Sequence, residues 1–122
     1  MIKKIYRSTR NALKGFRSGI ENDESIRLEL SVGLVVFVGL FVLFWPLRGL
    51  EILLLVLAYV LILITEFLNT AMETMLDRLH PVRHRMIGMS KDIAAAAVFL
   101  SFAFAGAVVL ILTLSRMGII AL

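Results

Sequence analysis

Residues 50–78, LEILLLVLAYVLILITEFLNTAMETMLDR, decide the fold. Leu50 to Ile64 form an apolar block, and then Glu66, Asn69, Glu73 and Asp77 arrive at spacings of three and four residues. Such spacing places all four side chains on one face of a helix. A helix entered near Gly49 and closed by Pro81 would run to Leu79. Its some 30 residues span about 45 Å, against a hydrocarbon core of roughly 30 Å. The last turns must therefore emerge at a membrane border, carrying three carboxylates and an amide with them. Unpaired charge in hydrocarbon costs several kcal/mol, so these groups need metal ions or basic side chains as partners.

The rest of the chain agrees with a membrane reading. Of 122 residues, 60% are hydrophobic, and the mean hydropathy of +0.93 is far outside the range of soluble domains. The apolar residues fall in three blocks, Leu30 to Trp45, Leu50 to Ile64 and Ile93 to Leu114. We expect an all-α integral membrane protein with three transmembrane helices, over 28–47, 50–79 and 92–115. Residues 1–22 scatter Ile2, Ile5, Leu13, Phe16 and Ile20 among basic positions at helical spacing, as in an amphipathic helix lying on a membrane surface. Lys and Arg stand at 3, 4, 7, 10, 14, 17 and 27 before the first span and at 78, 83, 85 and 91 between the last two, with only Arg48 and Arg116 elsewhere. By the positive-inside rule the N-terminus is cytoplasmic and the C-terminus outside. The basic surplus then belongs to the membrane surface, and no nucleic-acid partner is expected. No apolar run lies close enough to the N-terminus for a cleavable signal. The absence of cysteine excludes disulfides and thiolate chemistry.

Glu66 sits about three turns before Pro81, near the border of the bilayer, where a carboxylate can act as general base toward a lipid hydroxyl. Asp77 is nearer the helix end, where pairing with Arg78 or Arg83 in water explains it as well as function does. Asp23 and Glu24 precede the first span, and Lys91 and Asp92 open the third, Asp92 as a possible N-cap. Two carboxylates from two helices, completed by water and phosphate oxygens, are a usual way of holding Mg²⁺ beside a nucleotide. The constellation fits a membrane enzyme, a proton-coupled carrier or a cation pore. No P-loop and no protein-kinase signature is present. Pro81 between His80 and His84 argues against a helical pair of metal ligands, leaving His84 as a loop donor to phosphate or headgroup.

The run EFLNTAMETMLDR, followed after a short basic loop by SKDIAAAAV, resembles the prokaryotic diacylglycerol kinase family, and NALKGFRSG with Arg27-Leu28-Glu29 matches its N-terminal segment. The resemblance implies a homotrimer in a bacterial inner membrane, with active sites shared between protomers at the cytoplasmic interface. It implies MgATP-dependent phosphorylation of the primary hydroxyl of diacylglycerol to phosphatidic acid. By position Glu66 matches the general base and Asn69 the amide beside it. Glu73 matches a metal ligand, and Asp23 the second one, with Glu24 one residue off. Lys4, Asn11, Arg83, His84, Lys91 and Asp92, together with both metal ligands, match nucleotide contacts. Arg17, Arg27 and Ala95, with Glu66, match lipid contacts. Asp23, Lys4 and Ala95 stand where Glu, Arg and Ser are familiar. The alanine-rich KDIAAAAV also brings in the related undecaprenol kinases, and a small proton or cation carrier is the reading from a different class.

Overall fold

The computed structural model describes every residue except Arg83. The described residues form four helices and no strand: α1 (Ile2–Asn22), α2 (Glu24–Leu43), α3 (Gly49–Leu79) and α4 (Arg85–Arg116). The last three are each long and apolar enough to cross a membrane. They run up, down and up, so that α1 and the α3–α4 loop share one end of the bundle, here the basic end. The α2–α3 turn and the C-terminus share the other, the turn end.

Asp23 alone separates α1 from α2. Its backbone is extended (φ −122°, ψ 122°), its amide donates to the Gly19 carbonyl, and its Oδ1 accepts the Ile26 amide at 2.9 Å as the N-cap of α2. Arg27 reaches back to donate to the Ile20 and Glu21 carbonyls, groups that the end of α1 leaves without helical partners. The same end of α1 rests on α3. Phe16 meets Phe67 edge to face with centroids 5.1 Å apart. The Phe67 ring also occupies the space beside Gly19, where an added Cβ would lie 2.6 Å from ring carbon.

The first span begins and ends earlier than the expected 28–47. Its N-cap is Asp23, and its last helical residue is Leu43, three residues before Pro46. At the turn end, Glu51 is the third residue of α3 and is wholly buried. Its Oε2 accepts the Arg48 amide at 2.8 Å, satisfying a free N–H at the positive end of the helix. Arg116, the last residue of α4, donates to the same oxygen at 3.0 Å and to the carbonyls of Phe44 and Pro46. Arg48 in turn donates to the Leu122 carbonyl at 2.7 Å. Next to this cluster lies the packed core, Phe44, Leu55, Ala58, Val108 and Leu112. In a bilayer such a core is held by close van der Waals fit, because lipid tails are as apolar as leucine.

Midway along, Thr65 of α3 and Ser101 of α4 share a hydrogen bond of 2.9 Å, and each hydroxyl also reaches a carbonyl of its own helix. This pair marks the register of the antiparallel α3–α4 contact. Between α2 and α3, the Tyr59 hydroxyl donates to the Leu30 carbonyl at 3.1 Å, and its ring packs where Gly33 lacks a Cβ. The third span departs from expectation at its start. The helix opens at Arg85, and its N-cap is His84, whose Nδ1 accepts the Met86 amide at 3.1 Å. Asp92 is therefore not a cap. It lies about two turns inside α4, because the polar stretch 85–91 is helical beyond the apolar run that marked the span.

Candidate active site

The polar face of α3 is continuous and graded. Glu66 is buried, with 8% of its surface exposed. Asn69 and Glu73 are half-buried, and Asp77 is exposed. An unbroken helix makes this possible, since residues three and four apart stack on one side while the face emerges from the bundle turn by turn. Among the described residues, no side-chain hydrogen bond or ion pair engages Glu66 or Glu73. Asn69 Oδ1 is buried without a hydrogen-bond partner. With no protein donor among the described residues, this oxygen is a candidate to accept from a bound molecule.

Other carboxylates gather around this face. Glu29 of α2 and Asp23 at its N-cap lie near Glu66, besides Glu73 on the same face. Asp23 is partly buried, whereas Glu24 beside it is exposed. Glu29 is the functional candidate that motif spacing passes over. Its visible signals are its place in the Arg27-Leu28-Glu29 match and a lone carboxylate at the start of a long apolar run. Glu29 and Tyr59 are also the polar side chains lining a cavity of about 490 Å³ between α2, α3 and α4, whose walls include Val36, Leu40, Leu55, Ile62, Phe102 and Val109. The cavity is otherwise apolar and fits hydrocarbon.

Lys91 comes from α4 and forms an ion pair with Asp77 of α3. The Arg78 or Arg83 partnership expected for Asp77 is thereby replaced as far as Arg78 is concerned, and Arg83 lies outside the described residues. The remaining residues matched by resemblance stay apart in the single chain. Lys4, Asn11, Asp92 and Ala95 are exposed, and no side-chain hydrogen bond or ion pair links them to the carboxylate face among the described residues. Arg17 pairs with Glu21 at 2.7 Å on the open side of α1, and Arg27 caps α1. His84 is committed through Nδ1 to the start of α4.

Among the described residues no three His, Asp or Glu side chains form a group able to hold a metal ion by themselves. Asp23 and Glu73 still suit a shared Mg²⁺. Both offer hard oxygen donors, Glu73 has no described side-chain partner, and Asp23 spends only Oδ1 on its cap. Mg²⁺ commonly takes one or two carboxylates and draws its other ligands from water and phosphate.

Fold and site together define a class: a small helical membrane protein whose acids collect at one end of its bundle beside an apolar cavity, Glu66 and Glu73 without side-chain partners among the described residues. Residues 10–113 match the profile of the prokaryotic diacylglycerol kinases. The chain is 31% identical over 104 residues to the diacylglycerol kinase of Haemophilus influenzae, covering 85% of this chain and 86% of that one. With the diacylglycerol kinase of Escherichia coli K12 it shares 28% identity over 116 residues, 94% of this chain and 93% of that one. The chain belongs to the prokaryotic diacylglycerol kinase family, and it is a membrane lipid kinase of that family.

Proposed function

We propose that the protein transfers the γ-phosphate of MgATP to the hydroxyl of diacylglycerol, giving phosphatidic acid. The site lies at the basic end of the bundle, on the cytoplasmic side of a bacterial inner membrane. The observation that carries this reading is Glu66. It is a buried carboxylate without an ion pair among the described residues, at membrane depth, on the same helix face as Asn69 and Glu73. A structural carboxylate so costly to bury would be paired, so this one points to chemistry.

In this mechanism Glu66 accepts the proton of the lipid hydroxyl. The freed oxygen forms a bond to the γ-phosphorus as the bond to the β-phosphate oxygen breaks, and ADP departs with that oxygen. Asn69 Oδ1 accepts a hydrogen bond from a bound reactant and orients it beside Glu66. Asp23 and Glu73 would hold Mg²⁺, which offsets phosphate charge when bound. Lys91 supplies a further positive charge to the phosphates. Phosphoryl transfer asks a protein mostly for positioning and charge stabilisation, and these residues supply both. The apolar cavity with Glu29 and Tyr59 supports a lipid acceptor whose tails lie along the helices and whose hydroxyl faces Glu66. The working unit is a homotrimer with sites shared between protomers, which accounts for Lys4, Asn11, Asp92 and Ala95 standing apart from Glu66 in one chain.

The test is label transfer from γ-³²P-ATP and Mg²⁺ by detergent-purified protein, with diacylglycerol and undecaprenol supplied in parallel. Labelled phosphatidic acid is expected. Labelled undecaprenyl phosphate alone would move the acceptor to the polyprenyl class. No labelled lipid from folded protein would overturn the kinase assignment for this chain and return attention to ion transport.

A further inference from the structure

We infer that Asp77 is a positioning residue for the kinase reaction, acting by holding the Lys91 ammonium in place to receive nucleotide phosphate. The inference rests on the reading of Lys91 as a phosphate contact. It begins with how the two side chains come to meet. Exposed ion pairs contribute little by their own attraction, and this one is exposed, with Lys91 at 33% and Asp77 at 64% of side-chain surface. Attraction between them therefore does not explain the juxtaposition. The α3–α4 packing does, through a core of Leu55, Ala58, Val108 and Leu112 and a register marked by the Thr65–Ser101 hydrogen bond, both away from this pair. Roughly three turns on from Thr65 along α3, and back from Ser101 along α4, the antiparallel helices bring Asp77 and Lys91 face to face.

The pair also has a place in the site. Asp77 continues the face of Glu66, Asn69 and Glu73 and stands one turn beyond Glu73. Lys91 could otherwise sample the wide range of positions allowed by a flexible four-carbon stem. Hydrogen bonding to Asp77 confines the ammonium to the edge of the carboxylate face. An ammonium has three N–H donors, so one given to Asp77 leaves two for phosphate oxygens. Asp77 need not release Lys91 when nucleotide arrives. Preorganising a flexible cation in this way removes an ordering cost that nucleotide binding would otherwise carry.

The experiment compares wild type, Asp77→Asn, Asp77→Glu, Lys91→Met and the double variant Asp77→Asn/Lys91→Met. It measures KM for MgATP, KM for lipid and kcat in mixed micelles. The positioning role predicts that Asp77→Asn raises the nucleotide KM about three- to tenfold while the lipid KM is unchanged. Asp77→Glu should recover much of the loss, and in the Lys91→Met background Asp77→Asn should add nothing further. An unchanged nucleotide KM in Asp77→Asn would reduce the pair to surface ornament and overturn the inference. A lowered nucleotide KM would overturn it in the opposite sense, since Asp77 would then compete with phosphate for Lys91. Additive losses in the double variant would show that Asp77 acts independently of Lys91. If Lys91→Met turns over normally, the premise that Lys91 contacts phosphate fails, and that failure is separate from any behaviour of Asp77.

Discussion

The two ends of the bundle treat buried acid in opposite ways. At the turn end, Glu51 is wholly buried and surrounded by donors: the Arg48 amide, the Arg48 guanidinium and Arg116. At the basic end, Glu66 is almost as buried and has no such partner among the described residues, while Asn69 Oδ1 nearby is unsatisfied. The turn-end acid arrives with its counter-charges in the same chain and fastens α4 to the α2–α3 turn. The basic-end acid has no such counter-charge among the described residues. Burial of charge alone does not tell structure from function. Whether the partners are already present does.

The strongest way to break this contrast is to neutralise Glu66. Glu66→Gln keeps the shape and removes the base, so turnover should fall about 10²–10⁴-fold. That corresponds to roughly 3–5 kcal/mol of barrier. Because an unpaired buried charge is lost, resistance to unfolding by SDS in mixed micelles should be equal to or above wild type. Near-normal turnover in this variant would sink the general-base role, and a collapsed fold would make Glu66 structural.

The converse substitution, Glu51→Gln, should spare kcat of the folded fraction and cost stability. Removing one partner of a buried pair typically costs about 3–5 kcal/mol, and the partial exposure of Arg116 lowers the expectation to about 2–3 kcal/mol. The midpoint of SDS unfolding reads this directly. A kcat loss matching that of Glu66→Gln would erase the distinction between the ends. The smallest effect belongs to the middle of the bundle. Thr65→Val removes a hydrogen bond between spans, worth about 0.6 kcal/mol on average in membrane proteins. Adding Ser101→Ala should recover part of that loss, because the second hydroxyl is then no longer left without its partner. A double-mutant cycle on unfolding measures the coupling.

Much of this could be read from the chain before any coordinates. The face of Glu66, Asn69, Glu73 and Asp77 follows from spacing, and the end of α3 at Leu79 follows from Pro81, because both are local rules. The start of α4 was hidden because a helix that continues past its apolar run gives no change of pattern, and its cap is an imidazole rather than a carboxylate. The partner of Asp77 was hidden because it lies on another helix and depends on register. Glu51 carried a signal that is clear in retrospect. Arg48 and Arg116 are the two cations set apart from the rest of the basic charge, and Glu51 is the acid that accepts from both of them.

The joint between α1 and α2 has a mechanical side. A single residue, Asp23, is both the end of one rod and the beginning of the next, and its carboxylate is also a candidate metal ligand. Rod and fulcrum thus meet at the point where a cation would pull. The 21 residues of α1 make an arm of about 30 Å, so a swing of about ten degrees at Asp23 would carry its free tip some 5 Å. Phe16 and Gly19, pressed on Phe67 nearer the fulcrum, would move only about 2 Å and about 1 Å through the same arc.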